Sequence, residues 1–489
     1  MIRIEVKDES YLYNIYHLVK SFFPSERVEQ RIGGETGGDA RIRIDGDYIK
    51  SFDITDTEDK KMRKFLLDRA VYEALAEAAG HGLAWGILTG VRPTKLAMQK
   101  AEEGMEREAF ISWFGQEFYV SEEKAGLAYD IAVRERKILK SLDVSQGYSL
   151  YVGIPFCPTV CSYCSFSSGS ITVWKNMVDA YLNALCREIR YIGSRSDGRR
   201  LNTIYIGGGT PTTLEAEQLE RLLTCIDESF SREYLLEYTI EAGRPDSITE
   251  EKLQVIRNHQ ATRISINPQT MQQRTLDRIG RRHSVEEVIR AFGMARRLGF
   301  DNINMDLIAG LPGETWEDMR DTLRQIKELS PESLTVHSLA IKRAAKMGQE
   351  KSVLGYVKDL EEQMKDPVRM TEEVSRMIAD AAEAAKEMDL EPYYLYRQKN
   401  IAGNFENVGY AKVDKAGIYN ILIMEEKQSI VAAGAGASTK LVLPLPVTVS
   451  DGGSGKMTTL KRVENVKSIW EYISRIDEMI ERKGEWLWR

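Results

Sequence analysis

The sequence predicts an α/β protein built on a parallel sheet, a partial (β/α)6 barrel preceded by an α+β unit and followed by a small extension. Two observations predict it. From Tyr148 onward, short β-branched runs at 150–154, 203–206, 237–241, 262–266, 302–307 and 333–337 alternate with amphipathic stretches such as 177–192, 214–230, 285–298 and 316–329. Parallel neighbours need a crossover connection, so repeated strand–helix units imply a parallel sheet. Six such units suit a full or partial barrel better than a small doubly wound sheet. In addition, the chemically unusual residues fall just after these strands, where a barrel carries its ligand loops.

Taken in order, residues 1–145 read as an α+β domain of unassigned role. Segments 2–6 and 41–53 read as short strands, the second from the alternation in RIRID. The run Gly33-Gly34-Glu35-Thr36-Gly37-Gly38 between them reads as a loop. Asp56 is the expected cap of a helix through KKMRKFLLDRAVYEALAEAA, and further helical segments reach about Leu142. The barrel is expected over 146–340 and the extension, a candidate substrate cover, over 341–489. In that extension, 346–371 reads as a charged lid or linker and 373–388 as a helix. Segments 419–424 and 429–433 read as a hairpin of strands, and 466–482 as a terminal helix.

The 489 residues are 43% hydrophobic, enough to fill real cores. A net charge of −7 gives no global basic field for nucleic acid. The start, MIRIEVKDES, lacks the apolar run of a signal peptide. The apolar stretch 430–449 is broken by Gly434, Gly436, Lys440, Pro444 and Pro446, so no membrane span is expected. Three of the five cysteines lie within eight positions, unlike a disulfide framework. A cytoplasmic protein is expected.

The strongest chemical signal is Cys157-Pro-Thr-Val-Cys161-Ser-Tyr-Cys164, directly after YVGIPF. Three thiolates in one tight loop can hold three corners of a cubane iron–sulfur cluster, leaving one iron open. A structural zinc site would need a fourth ligand, and the loop has no histidine or fourth cysteine. A redox pair Cys161–Cys164 would leave Cys157 unexplained. Cys186 and Cys225 sit at apolar-face spacing on predicted helices and read as core thiols.

Other candidates follow the later strands. Gly207-Gly208-Gly209-Thr210-Pro211 allows close backbone approach to a ligand, or is a plain strand-to-helix turn. Glu241 ends its strand as a hydrogen-bond acceptor for ribose hydroxyls, or as a solvated terminus. Gln269 lies beyond RISIN. Arg281 and Arg282 follow as a carboxylate fork or a solvated pair. Asp306 interrupts an apolar strand, which fits a ligand role or a buried salt bridge. Lys342, Arg343 and Lys346 follow the last barrel strand as candidate carboxylate partners, or form a solvated loop.

The cysteine spacing, with Tyr163 before the last cysteine, resembles the radical S-adenosylmethionine (SAM) superfamily. The ordered set YVGIPFCPTVCSYC, GGGTPT, the strand ending at Glu241, RISINPQTMQQRTLDRIGRRHS and NMDLIAGLPGET resembles the oxygen-independent coproporphyrinogen III oxidase group. The likeness spans roughly 148–440, and the long N-terminal unit points to its HemZ-type branch. What the resemblance implies is a [4Fe–4S] cluster on Cys157, Cys161 and Cys164 whose open iron is chelated by SAM. Reductive cleavage of that SAM gives a 5′-deoxyadenosyl radical. The resemblance also places Tyr151, Gly208 and Glu241 at this SAM and Tyr163 beside the last ligand. It places Gly209, Thr210, Gln269, Arg281, Asp306 and Ala340 near a second SAM. It further implies a tetrapyrrole substrate and a low-potential donor such as flavodoxin or ferredoxin. The reaction would be oxidative decarboxylation of coproporphyrinogen III propionates to protoporphyrinogen IX, in haem biosynthesis. A haem carrier and a tetrapyrrole-modifying radical SAM methyltransferase are the alternatives. Two departures stand out: Gly153 occupies a position where better-known members have histidine, and the region after Gly436 is short. Gly434-Ala-Gly-Ala-Ser438 resembles a family loop near SAM, and also reads as a tight turn between strands.

Overall fold

Alternation in IRIEV builds the first strand, β1 (Ile2–Val6), with Ile2, Ile4 and Val6 buried and Arg3 and Glu5 on the other face. The computed structural model describes residues 1–489 apart from 25, 34–36, 45–47, 56, 91, 165–167, 340–365, 398–404, 452–453 and 489. β1 lies between β2 (Val28–Ile32), parallel to it, and β3 (Ala40–Ile44), antiparallel. β4 (Tyr48–Phe52) completes a four-stranded sheet, so the strand expected over 41–53 is two antiparallel strands. Helices Glu9–Phe22 and Lys60–Ala79 share a core with this sheet, including Ile4, Leu18, Val71 and Leu75. The second helix starts at Asp59, whose carboxylate accepts from the N–H groups of Lys61 and Met62 at 2.8 Å. The expected cap, Asp56, lies outside the described residues, as does most of the loop after Gly33. Helices Thr94–Glu102, Arg107–Phe118 and Glu122–Leu139 join the larger core through residues such as Met98, Phe114 and Ile131.

The six expected parallel strands form as β5 (Gly147–Ile154), β8 (Arg200–Gly208), β9 (Glu237–Glu241), β10 (Arg263–Ser265), β11 (Ile303–Ala309) and β12 (Ser333–Ser338). They neighbour one another in chain order, and all their mutual pairings are parallel. Two short strands, β6 (Phe156–Cys157) and β7 (Gly169–Ser170), flank the cysteine loop. Beyond β12 come β14 (Glu406–Ala411) and β13 (Glu391–Arg397), in antiparallel pairings. Beyond β5 come β15 (Ser429–Ala433), parallel to it, and the antiparallel hairpin of β16 (Ser438–Asp451) and β17 (Ser454–Glu464). The 11-stranded sheet therefore ends in β13 on one side and β17 on the other, as a partial barrel does.

Period-two alternation assigns the faces. Leu150, Val152, Ile206, Ile240, Ile264 and Met305 are buried beneath the crossover helices. Tyr151, Tyr205, Glu241, Arg263, Asp306 and His337 occupy the alternate, inward positions. Each fully buried aliphatic side chain contributes about 1.5–3 kcal/mol. Cys186 and Cys225 lie buried on facing helices, as core thiols.

Two expectations in the extension are corrected. Residues 419–424 are not a strand: they lie in helix Ile418–Glu425, whose first N–H groups, of Ile418 and Tyr419, donate to the Glu237 carboxylate from β9. A short, mostly apolar segment such as IYNILIME cannot be assigned by periodicity, and this remote carboxylate satisfies the otherwise orphaned helix start. Segment 429–433 is a strand, but it pairs with β5 and β16 rather than in a hairpin with residues 419–424. The terminal helix is two, Ile469–Ser474 and Ile476–Gly484, broken at Arg475. The helix expected over 373–388 runs Pro367–Glu387, and residues 346–365 of the expected lid lie outside the described residues.

Candidate functional site

The cysteine loop leaves β5 at its C-terminal end and is tied down from two sides. Ser162 donates to the Ile279 carbonyl through both its N–H and its hydroxyl, each at 3.2 Å, and the Thr159 hydroxyl donates to the Gly280 carbonyl at 3.3 Å. From the other side, Arg244 donates to the Thr159 carbonyl at 3.3 Å, the Thr159 hydroxyl at 3.1 Å and the Cys161 sulfur at 3.4 Å. The Thr210 hydroxyl donates to the Cys157 sulfur at 3.5 Å. Cys157, Cys161 and Cys164 are half-buried and form no disulfide. Burial pushes the Cys157 thiol up, against the donors around it.

Arg281 also faces this loop. It donates to the Tyr163 hydroxyl at 3.2 Å and to the carbonyls of Asn267 and Pro268, and among the described residues no carboxylate pairs with it. Burial and the neighbouring charges of Arg281 and Arg244 push the buried His283 down to about 3, so it stays neutral. Two buried guanidiniums against three thiols, with Asp246 ion-paired to Arg244 and, among the described residues, not to Arg281, make a setting for an anionic occupant. The donor set is therefore suited to a thiolate-held iron–sulfur cluster.

The glycine turn after β8 lies against the loop. Gly209 N donates to the Ile154 carbonyl and Thr210 N to the Phe156 carbonyl, both at 2.7 Å. A Cβ on Gly209 would fall 2.6 Å from the Phe156 oxygen and 2.7 Å from that of Ile154, so the close approach demands glycine. Gly207 opens the same motif, and the resemblance gives it no role at SAM. A Cβ there would fall 2.9 Å from the Glu241 carboxyl, so its bare backbone makes room for that acid.

Glu241 accepts a hydrogen bond from the Tyr205 hydroxyl. Burial pushes its carboxyl up to about 7, with the Asp306 charge adding to the effect and Tyr205, Arg263 and the Gly208 N–H opposing it. Tyr205 stacks on Tyr419 at 4.5 Å between ring centroids, and Tyr151 flanks them at 6.2 and 6.3 Å. The Tyr151 hydroxyl lies 3.0 Å from where a Cβ on Gly208 would be, so Tyr151, Gly208 and Glu241 are gathered together.

Gln269 and Asp306 form a neighbouring group. Gln269 adopts φ 71° and pairs through its backbone with β11: its N–H donates to the Asp306 carbonyl and its carbonyl accepts from Ile308 N–H, both at 2.9 Å. The Asp306 carboxylate accepts from Asn304 at 2.7 Å and lies 3.7 Å from His337, which contacts the Tyr396 hydroxyl at 3.2 Å. Burial pushes Asp306 up, but His337, Asn304 and Arg263 outweigh it and hold the acid below the usual carboxylate range. Ala340, Lys342, Arg343 and Lys346 lie outside the described residues.

Sequence reasoning missed Arg244, Tyr205 and Tyr419 and did not single out His337 for this site. Alternation along β8 and β12 points Tyr205 and His337 inward, whereas Tyr419 needed the unexpected helix. The Gly434–Ser438 loop is held at Ala435, whose N–H donates at 3.0 Å to the Tyr181 hydroxyl; this hydroxyl in turn donates at 2.7 Å to the Gly153 carbonyl. A Cβ on Gly153 would make only ordinary contacts, the nearest at 3.4 Å from Tyr151 and the Ala433 carbonyl.

A cysteine loop, a glycine turn and a buried carboxyl at the C-terminal end of a partial barrel define a class, and residues 151–326 match the sequence model of the Radical SAM superfamily. That superfamily carries an iron–sulfur cluster and uses SAM. The oxygen-independent coproporphyrinogen-III oxidase-like protein HemZ of Bacillus subtilis (strain 168) is 40% identical over 462 residues, 93% of this chain and 87% of that protein. The chain belongs to that coproporphyrinogen oxidase-like radical SAM family. The heme chaperone HemW of the same organism is 38% identical over 194 residues, 40% of this chain and 50% of that one. The oxygen-independent coproporphyrinogen III oxidase of Salmonella typhimurium is 34% identical over 192 residues, 39% of this chain and 42% of its own length. Among solved structures, coproporphyrinogen III oxidase (HemN) from Escherichia coli matches with a TM-score of 0.51 at 20% identity, covering 71% of this chain and 73% of that one; the likeness is one of fold. No described helix is long and apolar enough to cross a membrane.

Proposed function

We propose that this chain catalyses oxidative decarboxylation of two propionates of coproporphyrinogen III, giving protoporphyrinogen IX without oxygen. Cys157, Cys161 and Cys164 would hold three irons of a [4Fe–4S] cluster and leave the fourth to SAM. Tyr151, Gly208 and Glu241 would receive that SAM, with Tyr163 beside the cluster. Gly209, Thr210, Gln269, Arg281, Asp306 and Ala340 would line a second SAM position. When bound, cluster and SAM supply hydrogen-atom abstraction. The chain's own residues orient the nucleoside, exclude water and place the Glu241 carboxyl, pushed up to about 7 by burial, where ribose hydroxyls would donate. A low-potential flavodoxin or ferredoxin would supply electrons in the cytoplasm, and residues 341–489 would help cover the tetrapyrrole.

One observation carries the reading: the cysteine loop, the glycine turn, Glu241 and the Gln269–Asp306 pair all gather at the strand C-terminal ends. The test is anaerobic incubation of reconstituted protein with reductant, SAM and coproporphyrinogen III. The expected product is lighter by two carbon dioxides and four hydrogens, with methionine and 5′-deoxyadenosine accumulating. The partial match to a heme chaperone motivates the second reading, a haem carrier. Stoichiometric haem binding without vinyl product would favour it, and a methylated tetrapyrrole would favour a methyltransferase.

A further inference from the structure

We propose that Arg244 is a positioning residue for the cluster: it fixes the Cys161 sulfur with a charged hydrogen bond and raises the reduction potential of the cluster held there. The proposal rests on the reading of Cys157, Cys161 and Cys164 as ligands.

Arg244 follows β9 in Gly243-Arg-Pro-Asp-Ser247 and is 2% exposed. Asp246 holds one edge of its guanidinium in a fork, Nε to Oδ1 at 2.8 Å and Nη2 to Oδ2 at 2.7 Å. Burial pushes Asp246 up, but Arg244 outweighs it and the acid stays below its usual range, so the fork is charged on both sides. With that edge fixed, Nη1 meets the Cys161 sulfur at 3.4 Å and the Thr159 carbonyl at 3.3 Å, and Nη2 meets the Thr159 hydroxyl. One planar group thus spans the turn after β9 and two residues of the cysteine loop.

A purely structural arginine would be satisfied by Asp246 and Thr159. The further contact is to sulfur, a weak acceptor as a neutral thiol and a strong one when it carries the charge of a metal-bound thiolate. Reduction adds one electron from the external donor to the cluster. A fixed cation beside a ligand sulfur stabilises the reduced state more than the oxidised one, and hydrogen bonds to sulfur are among the settings of such potentials. Lysine cannot substitute fully, because its point charge lacks the fork that aims Nη1.

The test is an EPR-monitored redox titration of reconstituted full-length protein, with iron and sulfide content measured alongside. In Arg244→Gln the reduction equilibrium is expected to fall about tenfold, about 59 mV for a one-electron couple. Arg244→Lys should give a potential between glutamine and wild type. Full cluster content with an unchanged potential in Arg244→Gln overturns the proposal. If that variant holds no cluster, the lysine variant decides: a potential below wild type supports the proposal, and one equal to it overturns it. Failure of the ligand reading is distinguishable, because Cys161→Ala would then keep its iron whatever the Arg244 variants do.

Discussion

Glu241 offers the sharpest test of how the site receives a nucleoside. Its carboxyl is buried, accepts from Tyr205 and sits at about 7 because burial disfavours the charge. Ribose hydroxyls would donate to the carboxylate and favour the ionised form. Losing a charged acceptor costs about 1.5–3 kcal/mol, so Glu241→Ala should weaken SAM binding roughly tenfold to a hundredfold. The sign of the pH effect follows from the raised pKa. Below about 7 the free acid holds a proton that binding must expel, so wild-type affinity should fall by up to about tenfold per pH unit as pH drops. Glu241→Gln, which cannot ionise, should lose that slope. Anaerobic calorimetry of cluster-loaded protein between pH 6 and pH 8 (roughly one unit either side of the raised pKa) reads both effects. An unchanged affinity in Glu241→Ala with iron intact, or a slope that survives in Glu241→Gln, would rule out Glu241 as the ribose acceptor.

Three further outcomes are expected. Gly209→Ala should fold but lose much of its iron on desalting, because its Cβ must displace the Phe156 and Ile154 carbonyls from 2.6 and 2.7 Å; iron assay checks this. Lys483→Met should lower the thermal midpoint by breaking a wholly buried pair with Glu188 at 2.9 Å. The cost is about 3 kcal/mol, at the low end for such pairs because Gly434, Asn465 and Tyr472 still donate to Glu188. Asp306→Asn should reduce turnover in the coproporphyrinogen assay while leaving iron and sulfide content at wild-type levels.

The parallel core was legible because each strand is a short β-branched run followed by an amphipathic helix, a pattern set by neighbours in sequence. The cysteine loop was legible because its three thiols lie within eight residues of the chain. What escaped depends on remote partners. Helix Ile418–Glu425 is capped by Glu237, 181 residues away from Ile418, and no local signal could separate it from a strand. The place of β15 beside β5 is likewise a tertiary choice between segments far apart in the chain. Arg244 has a local partner in Asp246, which reads as an ordinary turn; its contact to Cys161, 83 residues back, exists only in the fold. The glycine motif marks Gly207 as part of a close backbone approach, but that it makes room for Glu241, at the end of the next strand, exists only in the fold.

Three cysteines holding a cluster with one iron open to SAM can be tested by EPR of the reduced, reconstituted protein with and without SAM. A [4Fe–4S] signal that changes when SAM is added is expected, because the open iron gains ligands. The signal should be lost in Cys157→Ala, Cys161→Ala and Cys164→Ala but kept in Cys186→Ala and Cys225→Ala. A spectrum indifferent to SAM, or one that survives removal of any of the three loop cysteines, would contradict this ligand assignment.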